Sequence, residues 1–148
     1  MTLSAAVVVS LVVVVWFVAL RGNGAATSEF IAAHDRFVAA ERKVEAATGD
    51  VQRFLELDEF KAVVDTQLVV MEHQHAVLER IAAGEDGETK DLADQSVAQA
   101  ARVITAANTH ADAIIRTRRL SDAAAAIAEM QAGVAELDRL AAEWKKLQ

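Results

Sequence analysis

Leu3 to Leu20 holds no charged residue and no proline, and eight valines, three leucines, Trp16 and Phe17 fill most of it. As a helix rising ~1.5 Å per residue, the run would be roughly 27 Å long, close to the ~30 Å hydrocarbon core of a bilayer. Each apolar residue near the centre of such a helix favours insertion by about 0.3–0.6 kcal/mol. Trp16 and Phe17 near its end, followed by Arg21, have the pattern of an interfacial aromatic belt and a snorkelling cation. A cleaved signal peptide fits less well: Met1–Thr2 bring no basic side chain, although Gly24-Ala25-Ala26 has the small residues of a cleavage site. A buried core helix fits less well still, because the run is apolar all round. The sequence therefore predicts a retained transmembrane anchor over residues 1–20, touching the lipid bilayer through residues 3–20.

The basic residues nearest this segment, Arg21, Arg36, Arg42 and Lys43, all follow it. The positive-inside rule then predicts a single-pass membrane protein whose folded domain faces the cytoplasm rather than the extracytoplasmic side. Residues 21–26, Arg-Gly-Asn-Gly-Ala-Ala, read as a Gly-containing tether, since glycine weakens helix.

Residues 27–148 form one acidic, alanine-rich unit, in a chain of net charge −7 with no cysteine, proline or tyrosine. That excludes a disulfide framework, a cysteine zinc site and a thiol nucleophile. The negative charge opposes nucleic-acid binding. Breakers divide the unit into four helices. Thr27 or Ser28 is placed to cap the first, which runs to about Thr48, with Gly49 and Asp50 forming the turn. The second covers 51–83 up to Gly84-Glu85-Asp86-Gly87, the third about 88–120, and Ser121 opens the fourth.

Apolar residues recur at helical spacing in each. The first has Phe30, Phe37, Val38 and Val44; the second Phe60, Val64, Met71, Leu78 and Ile81. The third has Leu92, Val103, Ile104, Ala107, Ala111 and Ile114. In the fourth, Ile127, Met130, Val134, Leu137, Ala141 and Trp144 follow a 3.5-residue period. The fold class is thus all-α: a single transmembrane helix followed by an antiparallel, up-down-up-down bundle of about four helices.

The first helix, at about 21 residues, is shorter than its neighbours at about 33. That mismatch predicts either a kinked second helix with frayed ends, or an overhang in which Val70, Val77, Leu78, Ile81, Leu92 and Val97 lack a covering helix and offer a partner groove or dimer seam. Trp144 returns toward the same end, where it serves either as an interface anchor on a coiled-coil seam or as part of the bundle's own core.

Candidate chemistry is sparse. Glu72 and His75 make one Glu-x-x-His step, but a di-iron bundle needs a second copy and two further glutamates; His73 falls on the polar side. Counting outward from the turns puts His34 level with Asp65 and within about a turn of His110, a set that would suit zinc or iron if its members met. Arg116, Arg118 and Arg119 with Arg42, Lys43 and Arg53 form a basic tip interspersed with acids. Ser28, Ser96 and Ser121 are the possible serine nucleophiles, two of them placed as caps. Phosphate-loop, His-Glu-x-x-His and Gly-x-Ser-x-Gly motifs are absent from the sequence. No catalytic residue, cofactor or metal is assigned from these patterns. The expected function is non-catalytic: an accessory or scaffold protein whose bundle docks a protein partner or a second copy, with no nucleic acid bound. The alternative is a sensor or binding domain holding a small ligand or metal between helices near His34 and His110.

Overall fold

In a computed structural model of the protein, the backbone is described for residues 5–51 and 56–147, and side chains for residues 24–49 and 56–147. All the described elements are helices: α1 (Ala5–Val51), α2 (Leu57–Gly84), α3 (Gly87–Thr117) and α4 (Leu120–Lys146). They follow one another up, down, up and down. The α3–α4 pair packs most closely, then α1–α2 and α2–α3, while α1 and α4 close the bundle more loosely.

Among the described residues, no helix is long and apolar enough to cross a membrane. That finding overturns the expected single-pass membrane localisation, and the cytoplasm-facing orientation falls with it. A span needs about 20 predominantly apolar residues. From Gly24 onward α1 carries Glu29, Asp35, Arg36, Glu41, Arg42 and Lys43, and α2, α3 and α4 each carry charges of both signs. The side chains of the 3–20 run itself lie outside the described residues. Residues 21–26 are not a break in the helix either: the α1 backbone stays helical through Arg21–Ala26 and on to Val51. Two glycines cost a helix interior about 2 kcal/mol in total, which a long, packed helix can absorb. Thr27 and Ser28 are consequently interior residues, and Glu29 pairs with Arg80 of α2 instead of facing a helix start.

The other boundaries move by smaller amounts. Gly49 stays helical and α1 ends at Val51, while α2 begins only at Leu57, where the Phe60 amide donates to Glu56 O at 3.0 Å. Between α2 and α3, Gly87 takes a left-handed φ of 55°, Thr89 Oγ1 donates to Asp86 O at 2.8 Å, and Lys90 Nζ reaches Ala82 O at 3.3 Å. Between α3 and α4, Arg118 itself occupies the left-handed region (φ 54°), and its amide donates to Ile114 O at 2.8 Å. Thr117 Oγ1 accepts the Arg119 amide at 3.2 Å. The helix starts one residue before the expected cap, so Ser121 lies inside α4 and its hydroxyl turns to Asp122.

These shifts remove the overhang. From Gly24 to Val51, α1 matches the 28 residues of α2 in length, and the Glu29–Arg80 pair sets the two in register. Leu78, Ile81 and Leu92 are buried, and Val70, Val77 and Val97 are half-buried against the core. Trp144 is 1% exposed and stacks on Phe30 with ring centroids 4.1 Å apart and planes 8° from parallel. Its place is in the core, closing the end where a groove was expected.

Every residue on the expected faces of α1 and α2 is buried; Ile104, Ile127 and Val134 are half-buried at the edges of theirs. Close packing of α3 on α4 depends on Gly133. A Cβ built there would overlap Val103 Cγ2 far inside van der Waals contact. Replacing Gly133 by Ala should therefore destabilise the fold by about 1–3 kcal/mol, as overpacking does, although the same change in an open helix would stabilise by about 1 kcal/mol. Urea unfolding of Gly133→Ala, and of Gly133→Ala with Val103→Ala, checks this: the second change should recover part of the loss. Trp144→Ala should cost about 3–5 kcal/mol of stability and leave the oligomeric state unchanged, measured by thermal melting and light scattering.

Candidate functional site

Three columns of residues run along α1 at seven-residue spacing, the interval that keeps side chains on one seam of a bundle. Phe30, Phe37 and Val44 form the first and Ala33, Ala40 and Ala47 the second, all buried. The third is polar. His34, Glu41 and Thr48 are 9%, 2% and 4% exposed. Two contacts turn this side of α1 toward α4: His34 Nε2 lies 3.0 Å from Asp138 Oδ1, and Gln131 Nε2 donates to Glu45 Oε1 at 2.8 Å.

Each member of the column has a different polar environment. The His34 Nδ1 atom is 2.9 Å from Asp35 Oδ1, while Nε2 is near Asp138 but off the direction of a hydrogen bond. Glu41 has one carboxyl oxygen, Oε1, with no hydrogen-bond partner in the protein. Burial, then repulsion from Glu45, pushes its pKa up to about 7, against a smaller opposing pull from Arg42. Thr48 donates its hydroxyl proton to Val44 O at 2.9 Å, one turn back in its own helix. The same oxygen lies 2.6 Å from Nε2 of His110 on α3.

Thr48 thus has two partners for one hydroxyl, Val44 O and the His110 imidazole, and which of Thr48 and Nε2 donates depends on the His110 tautomer. The His110 pKa is held below the ordinary histidine value by burial, offset in part by Glu45, and the ring is neutral near pH 7. Its Nδ1 has no hydrogen-bond partner in the protein, on a side chain 1% exposed. Phe60 meets the ring edge-on at a centroid distance of 6.5 Å.

A cavity of about 300 Å³ adjoins this pair, walled by Glu45, Thr48 and Gly49 of α1, His110 of α3, and Leu120, Ile127 and Met130 of α4. It sits where the looser α1–α4 seam meets the end of α1. A second hollow of about 390 Å³ between α3 and α4 is bordered by Arg102, which pairs with Glu129 at 2.9 Å, and by Thr105, Ala106, Thr109, Ala125 and Ala126. None of its polar lining residues is buried.

His34, Asp65 and His110 do not meet. Thr48 touches His110 and lies 14 residues beyond His34, about 21 Å of helical rise. Asp65 is exposed and pairs with Lys61 at 2.6 Å. The levels shift because α1 runs on to Val51 and α2 begins only at Leu57, so there is no tight turn at Gly49–Asp50 from which to count. Among the described residues, no group of three His, Asp or Glu side chains could hold a metal ion. Glu72 and His73 are exposed, and His75 faces Glu79 at 3.9 Å. Ser96 is buried but donates to Leu92 O at 2.8 Å. Arg116, Arg118 and Arg119 are exposed, Arg42 and Lys43 likewise, while Arg53 lies outside the described residues.

The polar column escaped the sequence reading, which followed apolar spacing alone; its signal was the seven-residue recurrence of His34, Glu41 and Thr48. No protein-family model, curated protein or solved structure matches this chain.

Glu41 yields a pH dependence of defined sign. Its folded pKa lies above the unfolded value of 4.5, so the folded state binds the extra proton. The resulting stability is full below pH 4.5, declines as pH rises and is gone above about 7, a loss of about 3 kcal/mol for a shift of this size. Glu41→Gln should remove that decline and be the more stable protein at pH 8. Depression of the His110 pKa works in the opposite direction, removing stability as pH falls below 6.5. Urea melts from pH 4 to 9 on both proteins check this; identical slopes would mean the carboxyl is not the titrating group.

Proposed function

We propose that this protein is a helical-bundle binding module that holds a small ligand in the cavity between α1, α3 and α4. The observation that carries this reading is His110, buried in the cavity wall with a ring nitrogen, Nδ1, that nothing in the protein satisfies. Native structures seldom leave such an atom unpaired, because an unmet buried polar group costs about 1–3 kcal/mol. The volume of about 300 Å³ lies at the lower end of small-molecule sites. Leu120, Ile127 and Met130 supply an apolar wall, and Glu45, Thr48 and His110 supply a few convergent polar groups, the mixture that binding pockets have.

Binding is favoured over catalysis by the bonding of Thr48. Its hydroxyl is shared between Val44 O and His110 Nε2, and the imidazole lacks the third group at Nδ1 that orients a base toward its nucleophile. The cavity is also better supported than an apolar docking seam. Among the described residues, the exposed large hydrophobic side chains are Val69 and Leu147, on different helical segments.

Benzyl alcohol, a compact apolar body with one hydroxyl donor, is a suitable probe. It should raise the melting temperature of the full-length protein and shift the His110 ring resonances. Met130→Trp, which fills the cavity, should abolish both effects. Equal effects in the two proteins, or none in either, would refute the cavity as a ligand site.

A further inference from the structure

We propose that the α1–α4 seam is a proton-operated latch, shut while Glu41 and His34 hold their protons and parted locally, ahead of unfolding, when they lose them. Such a latch works whether or not the cavity is filled. Among neighbouring helices this pair packs most loosely, and segments with the fewest packed contacts open first. The two ionisable members of the buried polar column both lie on its α1 side.

Glu41 supplies the first proton. Its side chain is 2% exposed, and Oε1 has no partner in the protein. A carboxyl so placed is stable when neutral; the anion needs water, which reaches it only if the helices part. Surrounding charges do not offset this. On α1, Glu45 repels the anion more than Arg42 attracts it, and burial with that repulsion pushes the pKa up to about 7. Between the Gln131–Glu45 and His34–Asp138 contacts, α4 carries only Glu136, which Arg139 holds. On α3, Arg102 pairs with Glu129 at the surface and His110 is uncharged near pH 7. On α2, Lys61 is taken by Asp65.

His34 supplies the second proton. Asp35 Oδ1 lies 2.9 Å from its Nδ1 and Asp138 Oδ1 lies 3.0 Å from its Nε2. A neutral imidazole has one N–H in either tautomer, so it faces one of the two carboxylates with a lone pair. The imidazolium has two N–H groups and a charge opposite to both. Protonation therefore strengthens the pair that crosses to α4. By the register of the Glu29–Arg80 pair, α2 brings His75, which faces Glu79, and the exposed Glu72 near this level. On α3, Asp94 is held by Lys90.

Both groups thus act in one direction. Glu41 favours the closed seam fully below pH 4.5, and that preference declines to nothing above about 7, because its folded pKa is the raised one. Loss of the His34 proton weakens the tie to Asp138 on the same side. His110 opposes them as pH falls below 6.5, since burial holds its pKa down.

The chain has no cysteine, so one introduced thiol reports on the seam. Ala141 is 4% exposed and stands three residues from both Asp138 and Trp144, the α4 side chains that meet His34 and Phe30 of α1. Thiol labelling of full-length Ala141→Cys, referenced to its urea-unfolded chain at each pH, measures the opening constant. Urea melts of the same protein measure the constant for global unfolding. Opening should exceed global unfolding at pH 8. Relative to the same protein carrying Glu41→Gln, it should rise about tenfold from pH 6 to pH 8, as one proton with this shift requires. Asp138→Asn should raise opening at pH 6 by about two- to fivefold, the range for a partly exposed ion pair. Labelling no faster than global unfolding allows, or a pH response that Glu41→Gln leaves intact, overturns the latch. An Asp138→Asn protein that opens no more readily at pH 6 overturns it too.

Discussion

Helix α1 must bury two apolar columns and one polar column at once, and the arrangement of its neighbours follows from that demand. Phe30, Phe37 and Val44 fill the core, while Ala33, Ala40 and Ala47 let other helices approach closely. His34, Glu41 and Thr48 enter with them, because they share the seven-residue interval. Burying a polar group without a partner costs free energy, so each needs an answer from another element. His34 is met by Asp35 and Asp138, and Thr48 by Val44 O and His110. Glu41 is answered by protonation, as its raised pKa states.

The contrast between two helix pairs explains where the cavity lies. On the α3–α4 side, Gly133 against Val103 brings the axes so close that a methyl group has no room. Alanine and glycine dominate that seam, and dispersion over many small contacts holds it. The α1–α4 side carries longer and more polar side chains, and the helices stand further apart. At the upper end, the Phe30–Trp144 stack fills the gap with two large rings. Among the described residues no such pair stands at the lower end, where Leu120, Ile127 and Met130 face Thr48 and Gly49 across a cavity. One end of the seam is a closed core, the other holds a cavity.

His110 links that cavity to stability. Its edge contact with Phe60 of α2 and its bond to Thr48 of α1 join α3 to both helices. The same ring leaves Nδ1 without a partner, and a ligand that bound there to the native state alone would add to its stability.

Much of the fold was legible in the residues. Absence of proline, the glycine-marked turns and the apolar spacing of Phe60 to Ile81 or Met130 to Trp144 dictate helices, because each amphipathic face has one way to be buried. Those local signals located the turn at Glu85–Asp86 and, to within a few residues, that at Arg118–Arg119. They misjudged 21–26 and Gly49, since glycine only disfavours helix, and a packed helix overrides the preference. Nor could they pair His110 with Thr48, 62 residues away, or exclude His34 from the same site. Which turn of one helix stands beside which turn of another depends on how side chains interlock along the whole seam, with Gly133 under Val103 and Trp144 on Phe30. The sequence alone determined that helices form and which faces they bury. Only the tertiary structure decided their register, and the register set Thr48 beside His110.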